Sequence, residues 1–556
     1  MANDNSSSSE SVTTSLDDIL ESGSTKTTNS QHCGYCKSTY KLRKLKNKGA
    51  LLVLVWNFLI VSLFYYIMVQ TNHNKQHYIT VSIILPVVGW LADVYFGRYR
   101  VIRWSIWIMW VGSMLSTVSS VVAQLVVGYG AMNKRWIIEH LVQVIAAVGY
   151  GGYQANIIQF GIDQLHDAST EEIQSFIIWY VWSYFGGGIA IELATSCLQT
   201  DYYLTWQLVT AVSLTIVLSL TLTLDSILVK EPITQNPFKL VYNVVKYAIK
   251  NKHPRCRSAF TYCEDELPSR LDLGKSKYGG PFTTEQVEDV KTFLRLLMVV
   301  FFGCAAPSAL LVVNSLRNKL IKTLTNSNQV FTPTFQCFSN SLYTRGPFYG
   351  VVVLVPLYEF IVRPVLYKYL LWVQCYWTFS LGVILQFVRI MLLMSYVLIA
   401  RHSYIAQHHG HNATIQCIFF VEYGTLGSSF DIRWIALQSF LNSVSMFMLG
   451  LGGVEFICAQ TPYIMRGLIS GAGYGSVALF TLVGIAITKP FTVDLPIWNN
   501  SGRIVNCGFW YSLLVIVFFI FNGAILCILR RVYKNRKRED VLPNEQIFAE
   551  RYYTEQ

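Results

Sequence analysis

The chain has 556 residues, 53% of them hydrophobic and only 14% charged, with a mean hydropathy of +0.38. That balance excludes an ordinary soluble globule, whose charged share is about 25%, and makes lipid the solvent. The net charge of +12 does not describe a nucleic-acid module, because the lysines and arginines gather at the ends of apolar runs.

Residues 1–49 read as a disordered cytoplasmic arm, rich in Ser and Thr and without the apolar core of a cleavable signal peptide. Within it, Cys33 and Cys36 form a lone CxxC with no second ligand pair at zinc spacing. No metal and no other cofactor is therefore assigned; palmitoylation near the membrane is the other use of these thiols. Apolar runs then recur from Leu51 to Leu529. Since a bilayer core needs roughly 20 apolar residues per helix, they predict about twelve spans, at 50–70, 78–97, 102–127, 136–160, 174–198, 206–229, 292–315, 346–367, 377–400, 433–460, 467–489 and 508–530.

A polar stretch divides these spans six plus six. The expected layout is an N-terminal bundle over 50–229, a linker over 230–290, a C-terminal bundle over 291–531 and a cytoplasmic tail over 532–556. Two six-helix bundles facing each other across a path form an all-α membrane protein of transporter design. Lys41, Arg43, Lys44, Lys46 and Lys48 precede the first span, and Arg530, Arg531, Lys534, Arg536, Lys537 and Arg538 follow the last. The positive-inside bias assigns both termini to the cytoplasm. Asn412 and Asn499 head glycosylation patterns in loops that would then face out. Of Cys337, Cys417 and Cys507 in the same outer loops, one pair is open to bridging. His402, His408, His409 and His411 are either a pH- or metal-sensing group or simply a solvated loop.

The second span ends in GWLADVYFGRYR, from Gly89 to Arg100. An ionised group inside a span is costly, so Asp93 and Arg98 are expected at the rim, paired, with Gly89 allowing close approach of a neighbouring helix and Gly97 in the connecting turn. Such charges can form a gate with the facing bundle; the alternative is a positive-inside anchor with an incidental aspartate. Asp163, at the same end of span four, is a second bracing charge. In the linker, Phe238, Leu240, Val241, Val244, Val245, Ala248 and Ile249 recur at helical spacing among Lys239, Lys246 and Lys250. This predicts a basic amphipathic helix, lying on the inner leaflet or packed on the bundles. Thr283 and Gln286 form a capping box, with Glu285, Glu288 and Asp289 in the first turn, that launches span seven. Glu359 and Arg363, four apart, are expected to pair.

Four stretches carry a family resemblance: GWLADVYFGRYRVI; GYGGYQANIIQFGIDQL from Gly149 to Leu165; RLDLGKSKYGGPFTTEQVEDVKTFLR from Arg270 to Arg295; and VEFICAQTPYIMRG from Val454 to Gly467. Together they resemble the motifs of the proton-dependent oligopeptide transporter family, also called peptide/nitrate transporters, within the major facilitator superfamily. The short loop between spans nine and ten is similar to the animal histidine/peptide branch. The resemblance implies a major facilitator fold and import of di- and tripeptides, amino acids or related nitrogenous solutes by proton-driven alternating access.

The charges on which that coupling depends are missing. Where the family's first span carries two glutamates and an arginine, this chain has Phe58, Val61 and Ser62; the fourth-span lysine corresponds to Gln154 and the tenth-span glutamate to Met446. No acid occurs between Asp289 and Glu359, so span seven lacks its usual carboxylate. Tyr65 and Tyr66 match peptide-contacting positions, and with Gln154 they form the expected binding set. Glu192, Glu455 and Glu139 are the replacement candidates for a proton carrier. Arg389 resembles the basic residue that family members carry near the inner end of span nine. The competing readings are an uncoupled facilitator and a non-transporting receptor or scaffold with a cytoplasmic adaptor. An enzyme is not expected, for want of a nucleophile and base constellation. The expected partners are a small solute or short peptide and membrane lipids, not nucleic acid, in the plasma membrane or an endosomal or lysosomal one.

Overall fold

The structure is a computed structural model, and it describes residues 47–69, 84–122, 132–165, 168–196, 203–230, 236–251, 269–303, 346–368, 375–407, 433–488 and 508–533. The amino-terminal arm with its CxxC, the outer-loop cysteines, His408, His409, His411, Asn412 and Asn499 lie outside the described residues.

One described helix falls in each predicted span. The first bundle has α1 (Lys48–Val69), α2 (Ile84–Phe96), α3 (Arg98–Val122), α4 (Met132–Asp163), α5 (Thr170–Ser196) and α6 (Tyr203–Thr223). The linker helix is α7 (Pro237–Lys250). The second bundle has α8 (Thr284–Gly303), α9 (346–368), α10 (Cys375–Gln407), α11 (Arg433–Gln460), α12 (Arg466–Thr488) and α13 (Gly508–Val532). Within the first set α3 packs on α4 and α6, and α1 on α4, α5 and α6; within the second α10 packs on α11 and α13, and α8 on α12 and α13. The two sets meet where α4 and α2 touch α12 and where α5 touches α11.

Lipid supplies no hydrophobic drive between helices, so close backbone approach holds them. A β-carbon on Gly187 of α5 would stand 2.6 Å from the Phe58 carbonyl oxygen of α1, and one on Gly382 of α10 would stand 2.9 Å from the Leu449 nitrogen of α11. Glycine sets both helix spacings.

The largest departure from the predicted spans is at α8, which begins at Thr284 rather than 292. The capping box forms as expected: Gln286 N–H donates to Thr283 Oγ1 and Thr283 N–H to Gln286 Oε1, both at 3.2 Å. Its first two turns carry Glu285, Glu288, Asp289 and Lys291, charges that disguise a helix from an apolar window. The amphipathic segment is helical as predicted, N-capped by Asn236, whose side chain accepts from the N–H groups of Phe238 and Lys239. Its Leu240, Val244 and Ala248 are buried, and Leu240 and Val244 share a core with Val287, Val290 and Leu468.

Candidate functional site

Among the described residues, polar bonds join the two sets of helices at the end that carries Gly97 and the α11–α12 junction. The last turn of α2, Ala92–Phe96, is a wide π-type turn closed by Gly97, whose φ of +79° needs glycine and whose N–H donates to Ala92 O. That break makes Arg98 the first residue of α3. Arg98 Nε donates to Asp93 Oδ1 at 3.2 Å and Nη1 to Asp163 Oδ2 at 2.7 Å, with both carboxylates almost fully buried.

The second oxygen of Asp93 crosses to the other bundle, where Oδ2 accepts from Leu468 N–H at 2.9 Å in the first turn of α12. An anion there meets the positive end of the helix dipole as well as an otherwise unpaired donor. The approach is possible only between glycines. A β-carbon on Gly467 would lie 2.7 Å from Asp93 Oδ1, and one on Gly89 would lie 2.6 Å from the Gly467 carbonyl oxygen. Gly89, Asp93, Gly97, Arg98 and Asp163 thus form one cluster, and Arg466 joins it from α12 with Nη1 3.7 Å from Asp163 Oδ1.

From that pair a polar ladder climbs the α4–α12 seam. Gln159 Nε2 donates to Ser470 Oγ at 2.8 Å, and Gln154 Nε2 to Tyr474 OH at 3.2 Å and Tyr180 OH at 2.9 Å. Gln154, expected to line a binding cavity, is buried here and is the rung farthest from Gly97. Beside the middle rung Gln159 also donates to Cys458 Sγ at 3.6 Å, and Cys458 is buried.

The other half of the interface is made by α9. It too has a π-type turn near its end, Tyr358–Val362, and its acid, Glu359, is buried. Arg363 donates to both oxygens of Glu359, at 2.8 and 2.9 Å, so the expected i, i+4 pair forms. Its Nη2 crosses to the first turns of α5, to the Glu171 carbonyl oxygen at 3.0 Å and Gln174 Oε1 at 3.3 Å, and Nη1 also reaches Ser175 Oγ there at 2.7 Å. Ser175 donates in turn to Glu359. Glu455 on α11 accepts from Gln174 Nε2 at 2.8 Å. Trp182 Nε1 adds a bond from α5 to the Val352 carbonyl of α9.

Positions that depart from the family pattern are packed rather than left hollow. Phe58 stacks on Trp182 at 5.9 Å; Val61 is fully buried against Gly187; Ser62 donates to its own helix at Phe58 O; and Met446 rests on the main core. Tyr65 is buried against Gly188. Tyr66, Glu139 and Glu192 lie on α1, α4 and α5, and their side chains are outside the described residues. Arg389 is fully buried in α10. Sequence reasoning missed Arg466, Ser470 and Tyr474, although their four-residue spacing puts a polar stripe on one face of an apolar span, which is itself a signal.

A family model described as PTR2, the POT family, matches residues 99–501. Human solute carrier family 15 member 5 is 27% identical over 238 residues, a match that spans 40% of each chain. Mouse solute carrier family 15 member 3 is 22% identical over 469 residues, spanning 76% of this chain and 78% of the mouse one. A solved structure described as an auto inhibited POT family peptide transporter superposes with a TM-score of 0.58 at 15% identity, covering 89% of this chain and 99% of that one. That likeness shows the major facilitator fold, and, with several helices long and apolar enough to cross a membrane, the family match over most of its length makes this chain an integral membrane protein that belongs to the POT family.

Proposed function

We propose that the protein carries small peptides, amino acids or related nitrogenous solutes across a membrane by alternating access of two six-helix bundles. The observation that carries this reading is the chemistry of the interface. At the Gly97 end the bundles are joined by the Arg466–Asp163 ion pair and single hydrogen bonds, which can exchange with water, and by glycine contacts that leave no side chain to disentangle. The basic clusters at both chain ends assign this face to the cytoplasm, so the arrangement is a state closed to the cytoplasm. Gly89, Asp93, Gly97, Arg98 and Asp163 are its gating residues. Asn412 and Asn499 then face out, and the host membrane is the plasma membrane or an endosomal or lysosomal one.

Tyr65, Tyr66 and Gln154 are the proposed solute contacts. Gln154 ties binding to gating, because a solute that takes its amide competes with the Tyr474 rung. An amide and two phenols suit a neutral or weakly charged solute better than a zwitterion. Phe58, Val61, Ser62 and Met446 replace ionisable family positions with packed neutral ones, which argues for weak coupling to protons or none. Glu455, Glu192 and Glu139 are the acids that remain to carry it.

Counterflow of labelled dipeptide or histidine into proteoliposomes tests the reading, with and without an inward proton gradient. Counterflow that ignores the gradient is the expected result. Accumulation driven by the gradient and abolished by Glu455→Gln, Glu192→Gln or Glu139→Gln would restore coupling. No counterflow of any solute in a broad panel by folded protein would contradict transport.

A further inference from the structure

The linker helix α7 presents three faces. One, with Leu240, Val244 and Ala248, is buried, and α7 packs on α8. A second is apolar and uncovered: Phe238, Tyr242 and Ile249 are 45%, 62% and 73% exposed, and their 4- and 7-residue spacing aligns them on one stripe. Beside that stripe lie Lys239, Lys246 and Lys250, all exposed, and the helix contains no acid. Lys246 Nζ sits over the Tyr242 ring, 5.4 Å from its centroid, so the cationic edge and the apolar stripe abut.

The stripe continues an aromatic surface of the membrane-spanning helices. Phe238 meets Trp90 edge-on at 5.6 Å, Trp90 meets Tyr95 at 6.0 Å, Tyr95 neighbours Phe96 at 6.4 Å, and Phe96 meets Trp104 at 5.0 Å. Tyr95, Phe96 and Trp104 are exposed at the Gly97 ends of α2 and α3. Aromatic side chains gather where acyl chains give way to headgroups, so this run of rings marks the depth of the bilayer boundary and α7 lies at its edge. A basic amphipathic helix at that depth buries its apolar stripe among acyl chains and sets its lysines at the phosphates.

We infer that α7 is a docking surface for anionic phospholipid, with Phe238, Tyr242 and Ile249 in the acyl boundary and Lys239, Lys246 and Lys250 on the headgroups. Phosphatidylserine is the committed ligand, an assignment that rests on the proposed cytoplasmic orientation because anionic lipid belongs to that leaflet. Attachment to α8 and Trp90 fixes the helix from behind, so the lysines are pre-placed rather than recruited from a loose tether.

The test uses the full chain in nanodiscs containing phosphatidylcholine and phosphatidylserine, with benzoylphenylalanine in place of Tyr242 or of Ile249. Photolysis and mass spectrometry then read what each position touches. The expected result is phospholipid adducts at both positions, with phosphatidylserine enriched about fivefold over its mole fraction. Lys239→Ser, Lys246→Ser and Lys250→Ser together return that ratio to the mole fraction while adducts persist. Adducts with protein, with a second copy of this chain or with no lipid overturn the docking, and so does phosphatidylserine at its bulk ratio in the lysine-intact protein. Nanodiscs expose both faces, so these outcomes are independent of orientation. Labelling Lys250 from outside intact cells tests orientation separately.

Discussion

The ends of α2 and α9 are built alike and used in opposite ways. Each has a π-type turn whose second residue is a buried acid, Asp93 or Glu359, followed within five residues by an arginine. In α2 the helix breaks at Gly97, Arg98 pairs with Asp93 and Asp163 of its own bundle, and the acid crosses to the N-terminus of α12. In α9 the helix runs on, the acid pairs with Arg363 on its own helix while accepting one bond from Ser175 of α5, and the cation crosses to the N-terminus of α5. The first crossing follows the helix dipole; the second opposes it, softened by Glu171 and Glu172 in the first turn of α5. The α2 lock is therefore the stronger of the two, and the α9 lock is held by hydrogen bonds to groups that can be re-solvated one at a time.

That ranking can be broken by substitution. Gly89→Val should have the largest effect, because its β-carbon meets a backbone oxygen that cannot step aside. The expected outcome is loss of the closed state, read as site-resolved alkylation of Cys458, which is buried beside the middle rung of the ladder. Arg98→Met comes next. It takes the shared cation from two buried carboxylates, leaving Asp93 the Leu468 N–H and Asp163 the more distant Arg466, and removing one partner of a buried pair costs about 3–5 kcal/mol, so Cys458 should again become reactive. Arg363→Met should cost less, since Glu359 keeps the Ser175 hydroxyl as a donor; equal reactivity in the two arginine variants would erase the ranking.

Glu455→Gln keeps an acceptor for Gln174 and should shift the closed state by about 0.6 kcal/mol, the scale of one hydrogen bond in a membrane bundle. The smallest effect is expected outside both locks, in the linker. Burial pushes the Asp272 carboxyl up, but hydrogen bonds from Lys275, Lys291 and Ser269 outweigh it and hold the group well below the usual carboxylate range. A depressed carboxylate stabilises the fold above its unfolded pKa of about 3.9 and loses that contribution only as pH falls through the lower folded value. Asp272→Asn should thus loosen residues 269–282 in amide exchange at pH 7 and leave Cys458 protected. Wild-type exchange there should be insensitive to pH, after correction for intrinsic rates, down to about 4.

Much of this was legible in the sequence for local reasons. Span number follows from apolar length, the α8 start from the Thr283 and Gln286 box, and the Glu359–Arg363 pair from i, i+4 spacing. What could not be read is which residue meets which across the interface. Asp93 was visible as a buried charge needing a partner, but its second partner is a backbone N–H 375 positions away. Gln154 looked like a cavity residue because its family counterpart is charged; its bonds to Tyr180 and Tyr474 come from two other helices, and no spacing rule joins them. The loss of charge at Phe58 was plain, whereas the Trp182 ring that fills the place depends on how α1 meets α5.

The most direct test of the account is a distance across the Gly97 end. Spin labels introduced through unnatural amino acids at Arg100 of α3 and Glu285 of α8, both exposed and on opposite bundles, report its opening by pulsed dipolar spectroscopy. The account predicts one short, narrow distribution for the native chain and a longer second population in Gly89→Val and Arg98→Met, larger than in Arg363→Met. A distribution unchanged by all three substitutions in folded protein would contradict a gate held by these residues.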